Sequence, residues 1–187
     1  MQTILFFGDS LTAGYGLKNA ALESMPGLIQ QKINAAGIAA RVINAGISGD
    51  TTTGGLTRID RYLNEPIDIF VLELGINDAI RGVQPQISLN NLQAIVNKVK
   101  AKHPRVRLAL LGMEIPVFLR GGVAEEFRSM FRQLAAVNNM AFVPFMLSGV
   151  AGKKDLNIFD RLHPNAEGYK VITSNVWPLI RKLLVSG

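Results

Sequence analysis

The chain contains no cysteine, only two histidines and one tryptophan among its 187 residues. The absence of cysteine excludes disulfide bonds, thiolate metal sites and a cysteine nucleophile. Charged residues make up only 18% and aromatic residues only 7% of the sequence. No apolar run approaches the roughly 20 residues that a membrane-spanning helix needs. Any reaction that depends on an imidazole base therefore has two candidate side chains.

Length and composition are typical of one globular domain, which we expect to cover residues 1–187. Hydrophobic residues make up 48% of the chain, enough for a core that needs no covalent cross-links. The net charge is +6, but the basic residues are scattered and accompany no zinc module or basic stripe interleaved with aromatics. We therefore expect a monomer that binds no nucleic acid and does not insert stably into a membrane.

The sequence leaves the cellular compartment open. Met1 and Gln2 lead directly into a strand-like apolar run that is too short for the core of a signal peptide. We therefore expect no signal peptide in this sequence. The cytoplasm and the bacterial periplasm, the latter reached by a precursor whose signal has been removed, are both compatible with a chain that lacks cysteine.

Short apolar segments alternate with segments of helical periodicity along the chain. The predicted strands, apolar at nearly every position as in strands buried on both faces, are residues 3–7, 41–44, 68–74, 107–111 and 141–143. The predicted helices are residues 25–36, 55–63, 88–102, 124–138 and 166–184, the last kinked or interrupted at Pro178. This order predicts a three-layer α/β/α fold with a parallel sheet, whose ligand site lies outside the carboxyl ends of the strands.

Four turns at that edge of the predicted sheet contain residues suited to catalysis. They are residues 8–14, 44–51, 75–78 and 160–164, three of them directly after a strand and the last before the final helix. Each turn alone is also typical of ordinary turn chemistry, such as an Asx turn or a helix cap. Their occurrence together, in this order, favours one common site.

Ser10 is the predicted nucleophile. A serine hydroxyl attacks an acyl carbon only when a base accepts its proton. His163 is the predicted base, because His103 ends the helix before the fourth strand and is expected at the opposite edge of the sheet. Asp160 lies three residues before His163, close enough to orient the imidazole and to stabilise its protonated form.

Three hydrogen-bond donors are predicted to form an oxyanion hole. They are the backbone N–H groups of Ser10 and Gly49 and the side-chain amide of Asn77. Glycine at position 49 allows a close approach of the backbone. Ser48 is a weaker candidate nucleophile, because its surroundings resemble a nucleophile elbow except that Asp50 stands where the elbow requires glycine. We expect Ser48 to shape the turn that contains Gly49.

These four blocks resemble those of the GDSL, or SGNH, family of serine hydrolases. The residues that carry the resemblance are Gly8-Asp9-Ser10-Leu11, Gly49, Gly75-Ile76-Asn77-Asp78 and Asp160-x-x-His163-Pro164. The longer stretches GDSLTAGYG, NAGISGDTTTGGL and ELGINDAIRG look most like the bacterial thioesterase I, lysophospholipase and arylesterase group.

The resemblance implies a five-stranded parallel sheet in flavodoxin-like order. It implies hydrolysis of esters or thioesters, such as acyl esters, acyl-CoA or lysophospholipid, through an acyl-enzyme intermediate on Ser10, with Gly49 and Asn77 in the oxyanion hole. It implies neither a metal nor a cofactor. The chain departs from the family pattern at Ile76, where relatives often have glycine, and in residues 114–121, so the resemblance does not define the substrate range.

Apolar residues beside these motifs predict an acyl-binding pocket. The candidate residues are Ile76, Ile80, Ile115, Phe118 and Phe159. Ordinary packing beneath loops is the alternative role for each of them. Arg81 is predicted at the same pocket, where its guanidinium would either bind a phosphate or carboxylate of the substrate or be solvated.

Two other functions remain open from the sequence. A carbohydrate acetylesterase of the same family would combine the same triad with a small acyl pocket and an open groove. A non-catalytic flavodoxin-like module would use the same sheet to bind flavin mononucleotide or to accept a phosphoryl group. The phosphoacceptor alternative is disfavoured, because the third strand is followed by Gly75-Ile76-Asn77-Asp78 and the fifth by Pro144-Phe145 instead of a lysine.

Overall fold

A computed structural model describes residues 1–114 and 122–185 of the protein. Within these residues one sheet contains the strands β1 (Gln2–Gly8), β2 (Ala40–Gly46), β3 (Ile69–Glu73), β4 (Arg107–Leu111) and β5 (Ala141–Val143). All neighbouring strands are parallel, in the order β2-β1-β3-β4-β5. The predicted α/β fold and flavodoxin-like strand order are confirmed.

Helices cover both faces of this sheet. They are α1 (Ser10–Ala13), α2 (Ala20–Glu23), α3 (Met25–Ala35), α4 (Thr52–Arg58), α5 (Ile76–Ile80), α6 (Pro85–Lys102), α7 (Gly122–Asn138) and α8 (Ala166–Val185), with 3₁₀ helices at Ile59–Tyr62 and Lys154–Leu156. Helix α3 packs against α8, whereas α6 packs against α4 and α7. Right-handed crossovers place these two groups on opposite faces.

Burial differs between the central and the edge strands. Every residue of β3 is buried, and β1 is buried from its second residue onward. In β2 and β5 most side chains are half-buried or exposed, so the expectation that every strand is buried on both faces is wrong for these two. An edge strand has a neighbour on one side only, and the helices cover it less completely.

The helix predicted at residues 55–63 begins earlier and is divided. It starts at Thr52 because the hydroxyl of Thr51 accepts a hydrogen bond from the N–H of Gly54 and caps α4. Its second half is the separate 3₁₀ helix. The short helices α1, α2 and α5 were not predicted, because four or five residues are too few to show a helical period.

Helix α8 continues through Pro178 without the predicted interruption. Proline lacks an N–H group, so the carbonyl of Ser174 loses its partner within the helix. Both Pro178 and Ser174 are exposed. Water can therefore bind the carbonyl of Ser174, which explains why the helix tolerates the proline.

The carboxyl ends of the central strands define the edge at which the turns meet. Gly8 at the end of β1 is level with Glu73 of β3 and with Gly46 of β2. The chain leaves β1 and β3 towards opposite sides of the sheet, which creates a crevice between them. Helix α8 begins over this crevice, where the hydroxyl of Tyr169 donates to the carbonyl of Leu11 at 3.0 Å.

Candidate active site

The turn after β1 holds Ser10 at the start of a short helix. The carboxyl of Asp9 accepts a hydrogen bond from the N–H of Leu11 at 3.0 Å and so caps α1. A Cβ atom at Gly8 would lie 2.1 Å from the hydroxyl of Thr12 and 2.5 Å from Oε2 of Glu73. Only glycine therefore allows these two side chains to approach the turn that holds Ser10.

The segment before α8 brings a histidine and an aspartate to Ser10. The Oγ atom of Ser10 lies 2.8 Å from Nε2 of His163. On the other side of the imidazole, Nδ1 of His163 lies 2.6 Å from Oδ2 of Asp160. The structure thus places the three predicted residues in one hydrogen-bonded line from hydroxyl to carboxylate.

Local backbone geometry holds Asp160 in this line. Its Oδ1 atom accepts hydrogen bonds from the N–H groups of Leu162 at 2.9 Å and His163 at 3.0 Å. Arg161 adopts a positive φ of 58°, which closes the turn between the carboxylate and the imidazole. Partial burial acts to raise the pKa of Asp160, but the hydrogen bonds from His163 and Leu162 and the His163 charge hold it below its ordinary value.

Tyr15 is a neighbour of the imidazole that the sequence did not indicate. Its ring centroid lies 4.7 Å from that of His163, with an angle of 52° between the rings. The contact limits the orientations available to the imidazole. The tyrosine lies within the extended GDSL block, but that block gives no sign of which way the side chain points.

Two backbone N–H groups in the motif turns have no recorded acceptor among the described residues. Among residues 1–114 and 122–185, the structure records no hydrogen bond from the N–H of Ser10 or from that of Gly49. Gly49 has a positive φ of 77°, a conformation that glycine adopts readily and other residues rarely do. The two groups are thus available to an acceptor from outside the chain.

The side chain of Asn77 lies between the turns that follow β1 and β2. Its Nδ2 atom donates to the carbonyl of Asp50 at 2.9 Å and to Oδ2 of Asp9 at 3.1 Å. These two acceptors fix which end of the amide is the nitrogen. A negatively charged oxygen at the site would share the Nδ2 hydrogens with them.

A buried arginine braces the same turns, and the sequence did not identify it. The guanidinium of Arg58 pairs with Asp50 at 2.7 Å and donates to the carbonyls of Ala45 at 2.8 Å and Gly8 at 2.9 Å. It also lies 3.9 Å above the ring of Phe7. The ends of β1 and β2 and the loop that contains Gly49 are therefore held by one cation.

Asp78 fastens the turn after β3 to the neighbouring helices. Its carboxylate accepts hydrogen bonds from the N–H and hydroxyl of Thr52, at 2.9 and 2.5 Å, and from the hydroxyl of Ser88 at 3.2 Å. The side chain is buried. Its role in the Asn77-Asp78 pair is thus to hold the position of α5.

The predicted pocket residues occupy different environments. Ile76 is half-buried against the core, whereas Ile80 and Phe159 are 48% and 92% exposed. Arg81 is at the surface, where its guanidinium donates to the carbonyl of Gly49 at 2.8 Å. Ile115 and Phe118 lie outside the described residues. The pocket assignment therefore stays a prediction.

A large cavity in the described part of the chain lies away from the predicted site. It has a volume of about 830 Å³ and is lined by residues of α6, α8 and the starts of β4 and β5, among them Arg107 and Met140. None of the predicted site residues lines it. His103, at the end of α6, also belongs to that opposite edge, as expected.

Comparison with known proteins identifies the class. The sequence model of the GDSL-like lipase/acylhydrolase family matches residues 6–171. The chain belongs to this family, and it is an acyl-hydrolysing enzyme with the SGNH hydrolase fold.

Individual relatives are similar over nearly the whole chain. Esterase TesA of Pseudomonas aeruginosa is 36% identical over 98% of this chain and 90% of its own length. Thioesterase 1/protease 1/lysophospholipase L1 of Escherichia coli is 33% identical over 91% of this chain and 79% of its own. The structure of the psychrotrophic esterase EstA from Pseudoalteromonas sp., inhibited by monoethylphosphonate, has a TM-score of 0.90 and 34% identity, over 98% of this chain and 99% of its own.

Two kinds of feature are absent from the described residues, a metal-binding cluster and a membrane-spanning helix. No group of three or more histidine, aspartate or glutamate side chains within residues 1–114 and 122–185 is arranged to hold a metal ion. No helix in the same residues is long and apolar enough to span a membrane.

Proposed function

We propose that this protein is a serine esterase, a single domain over residues 1–187, which hydrolyses carboxylic esters and thioesters through an acyl-enzyme intermediate on Ser10. The observation that carries the proposal is the line of contacts from Ser10 Oγ through His163 to Asp160, with distances of 2.8 and 2.6 Å. The two unpaired N–H groups of Ser10 and Gly49 at the same place support it.

The reaction begins with the hydroxyl of Ser10. Nε2 of His163 accepts its proton as Oγ attacks the acyl carbon. The carboxylate of Asp160 stabilises the imidazolium that forms and keeps it in the tautomer that returns the proton to the leaving alcohol or thiol. Water then attacks the acyl-enzyme with His163 again as base, and the acid is released.

The oxyanion of each tetrahedral intermediate is bound by the Ser10 and Gly49 N–H groups and by Asn77. Preorganised donors stabilise this charge because they need no reorientation during the reaction. EstA, a relative inhibited by monoethylphosphonate, supports the proposed reaction, because a phosphonyl group is tetrahedral like the intermediate. We expect the same inhibitor to inactivate this protein.

Replacing Asn77 by alanine is expected to lower kcat by about 10²–10³, with a much smaller change in KM, since an oxyanion donor acts mainly in the transition state. Steady-state hydrolysis of a p-nitrophenyl ester measures both constants. The matched control is Asn175→Ala, which removes an exposed asparagine that also donates to a backbone carbonyl, that of Ser148 at 2.9 Å. Full turnover by Asn77→Ala would show that this oxyanion assignment is wrong.

Exposed apolar side chains at the site favour an acyl substrate over a sugar-bound acetyl group. Phe159, Leu162 and Ile80 are exposed large hydrophobic residues beside the motif turns, and an acyl chain of several methylenes would cover such surface. The candidate substrate class is therefore an acyl ester or thioester. Carbohydrate acetylesterase activity remains the second candidate, since the same triad would serve it.

Hydrolysis of p-nitrophenyl esters from acetyl to palmitoyl tests this assignment. Turnover that rises from acetyl towards octanoyl, and that extends to acyl-CoA or lysophospholipid, would support the proposed substrate class. Turnover confined to acetyl esters would favour the acetylesterase. No turnover of any ester by the wild-type chain would contradict the proposed function.

Phe159→Ser is expected to lower kcat/KM for the octanoyl ester roughly tenfold, because the lost phenyl contact with the chain is of the order of 1–2 kcal/mol. The acetyl ester, too short to reach the ring, should change little. Phe159→Leu is the control, since leucine keeps an apolar surface. Equal losses with the acetyl and octanoyl esters would show that Phe159 does not contact the acyl chain.

A further inference from the structure

Two carboxyl groups, those of Asp9 and Glu73, are buried against each other beneath the catalytic edge. Neither residue has any exposed surface, and each carboxyl affects the pKa of the other. Oε2 of Glu73 accepts hydrogen bonds from the hydroxyl of Thr12 at 2.7 Å and from the N–H of Asp9 at 3.2 Å. The other oxygen, Oε1, is buried and has no partner in the described part of the chain.

No cation neutralises this pair within the described residues. The nearest arginine, Arg58, is paired with Asp50. Burial raises the pKa of Asp9 to about 7, assisted by the charges of Asp50 and Asp78, and burial together with Asp9 raises the pKa of Glu73 well above its ordinary value. Two adjacent carboxylates without a cation cannot both ionise, so the pair keeps a proton at neutral pH.

Tyr169 is the remaining titratable group that faces the pair. Its hydroxyl donates to the carbonyl of Leu11 at 3.0 Å. Burial, followed by the charges of Glu73 and Asp9, raises its pKa far above the ordinary value. Tyr169 therefore stays neutral and adds no charge to the environment of the two carboxyls.

The hydrogen bonds show which carboxyl carries the proton. Both oxygens of Asp9 accept from N–H donors, Oδ1 from Leu11 at 3.0 Å and Oδ2 from Asn77 at 3.1 Å. Such bonds favour the ionised form. Glu73 has a buried oxygen without a donor, which a proton on that oxygen explains, because a protonated Oε1 becomes a donor to Asp9.

We propose that neutral Glu73 donates a hydrogen bond to ionised Asp9, and that the Asp9 carboxylate is a positioning residue that directs the nitrogen of the Asn77 amide towards the oxyanion. This inference rests on the oxyanion role proposed for Asn77. If the amide rotated by half a turn, its oxygen would face the Asp9 carboxylate and the carbonyl of Asp50, and like partial charges would repel. The same carboxylate caps the helix that begins with Ser10, so one proton-sharing pair sets the geometry of both halves of the site.

Asp9→Asn tests the positioning role. The new amide oxygen can still accept from the N–H of Leu11, since asparagine is a favoured N-cap residue, so the bond that is lost is the one from Asn77. We expect kcat to fall by a factor of about 10–10², which is no more than the fall expected when a whole oxyanion donor is removed, and KM to change little. The double variant Asp9→Asn/Asn77→Ala should lose no more activity than Asn77→Ala alone, since Asp9 acts through the amide.

If the losses of activity from Asp9→Asn and Asn77→Ala multiplied in the double variant, the positioning role would be overturned. The proposed function would be unaffected, because the rates of the wild-type protein and of Ser10→Ala test it separately. Glu73→Leu, which cannot donate to Asp9, should lower kcat, and Glu73→Gln should rescue most of the loss because its amide donates without charge. If Glu73→Gln lowered kcat as much as Glu73→Leu, Glu73 would not be a neutral donor.

Infrared difference spectroscopy tests the proton directly and does not depend on activity or on the folding of Asp9→Asn. We expect the wild-type protein at neutral pH to show the absorption band of a protonated carboxyl group. The band should be missing from the folded Glu73→Gln variant. Absence of the band from the wild-type protein would overturn the assignment of the proton to Glu73. A band that persists in Glu73→Gln would overturn it equally.

Discussion

Ser10→Ala is expected to lower kcat for ester hydrolysis by about 10⁶, because removal of the nucleophile leaves only the oxyanion donors and substrate binding to accelerate attack by water. The structure provides the reason: the Ser10 hydroxyl is the group that contacts Nε2 of His163, at 2.8 Å. Steady-state hydrolysis of p-nitrophenyl butyrate by wild type and variant measures the ratio. KM should change far less than kcat, since the hydroxyl contributes little to ground-state binding.

Ser48→Ala is the matched control for this loss. Ser48 is the other serine at the catalytic edge, it is exposed, and no hydrogen bond of its side chain is recorded among the described residues. We expect its alanine variant to keep kcat within about tenfold of wild type, an effect of less than about 1.4 kcal/mol. Loss of activity in Ser48→Ala together with retained activity in Ser10→Ala would exchange the two assignments.

Asp160→Asn is expected to lower kcat by about 10⁴, the loss that follows when the orienting carboxylate of a triad becomes an amide. The Nδ2 group of asparagine would face Nδ1 of His163 and favour the tautomer in which Nε2 carries the proton and accepts none from Ser10. The loop itself should stay in place, because the retained oxygen still accepts from the N–H groups of Leu162 and His163.

The measurement is the pH dependence of kcat/KM for wild type and Asp160→Asn. The hydrogen bonds that lower the pKa of Asp160 keep it ionised throughout the neutral range, so protonation of the aspartate should not lower the wild-type rate within that range. Asp155→Asn, the same substitution at an exposed position in the 3₁₀ helix that precedes this turn, should leave the rate unchanged. An Asp160→Asn variant as fast as this control would remove Asp160 from the triad.

The proximity of Ser10, Asp160 and His163 was predictable because each belongs to a short block with chemical meaning. Serine, histidine and aspartate in turns after strands indicate a nucleophile, a base and an orienting group, and parallel strands bring such turns together. The contacts that hold these residues were not predictable. The sequence around Arg58 is typical of a solvated arginine on a helix, yet Arg58 is buried over Phe7. Nothing in the sequence shows that its side chain turns inward.

The same limit applies to Glu73. Glu73 lies at the end of an apolar strand. A glutamate at such a position is typical of the point at which the chain leaves the core. Its burial against Asp9 depends on Gly8, whose missing side chain makes room for the carboxyl. Such a contact joins residues far apart in the sequence, and local patterns carry no record of it.

The order and type of the main elements were predictable, whereas the bounds of several elements were not. Strands β4 and β5 have the predicted bounds, whereas β2 extends beyond its predicted ends over Ala40, Ala45 and Gly46, small residues of low strand propensity. Helix α4 begins three residues before its predicted start since Thr51 provides the cap. The predicted interruption of the last helix at Pro178 was wrong, because an exposed position lets water replace the missing hydrogen bond, whereas the alternative of a kink stays a prediction.

Covalent labelling with a fluorophosphonate tests the central claim, that Ser10 is the activated nucleophile, most directly. We expect the intact wild-type protein to gain one phosphonyl group and peptide mapping by mass spectrometry to place that group on Ser10. The Ser10→Ala variant should not be labelled. Labelling at Ser48 or another serine, or no labelling of a folded wild-type protein, would contradict the account.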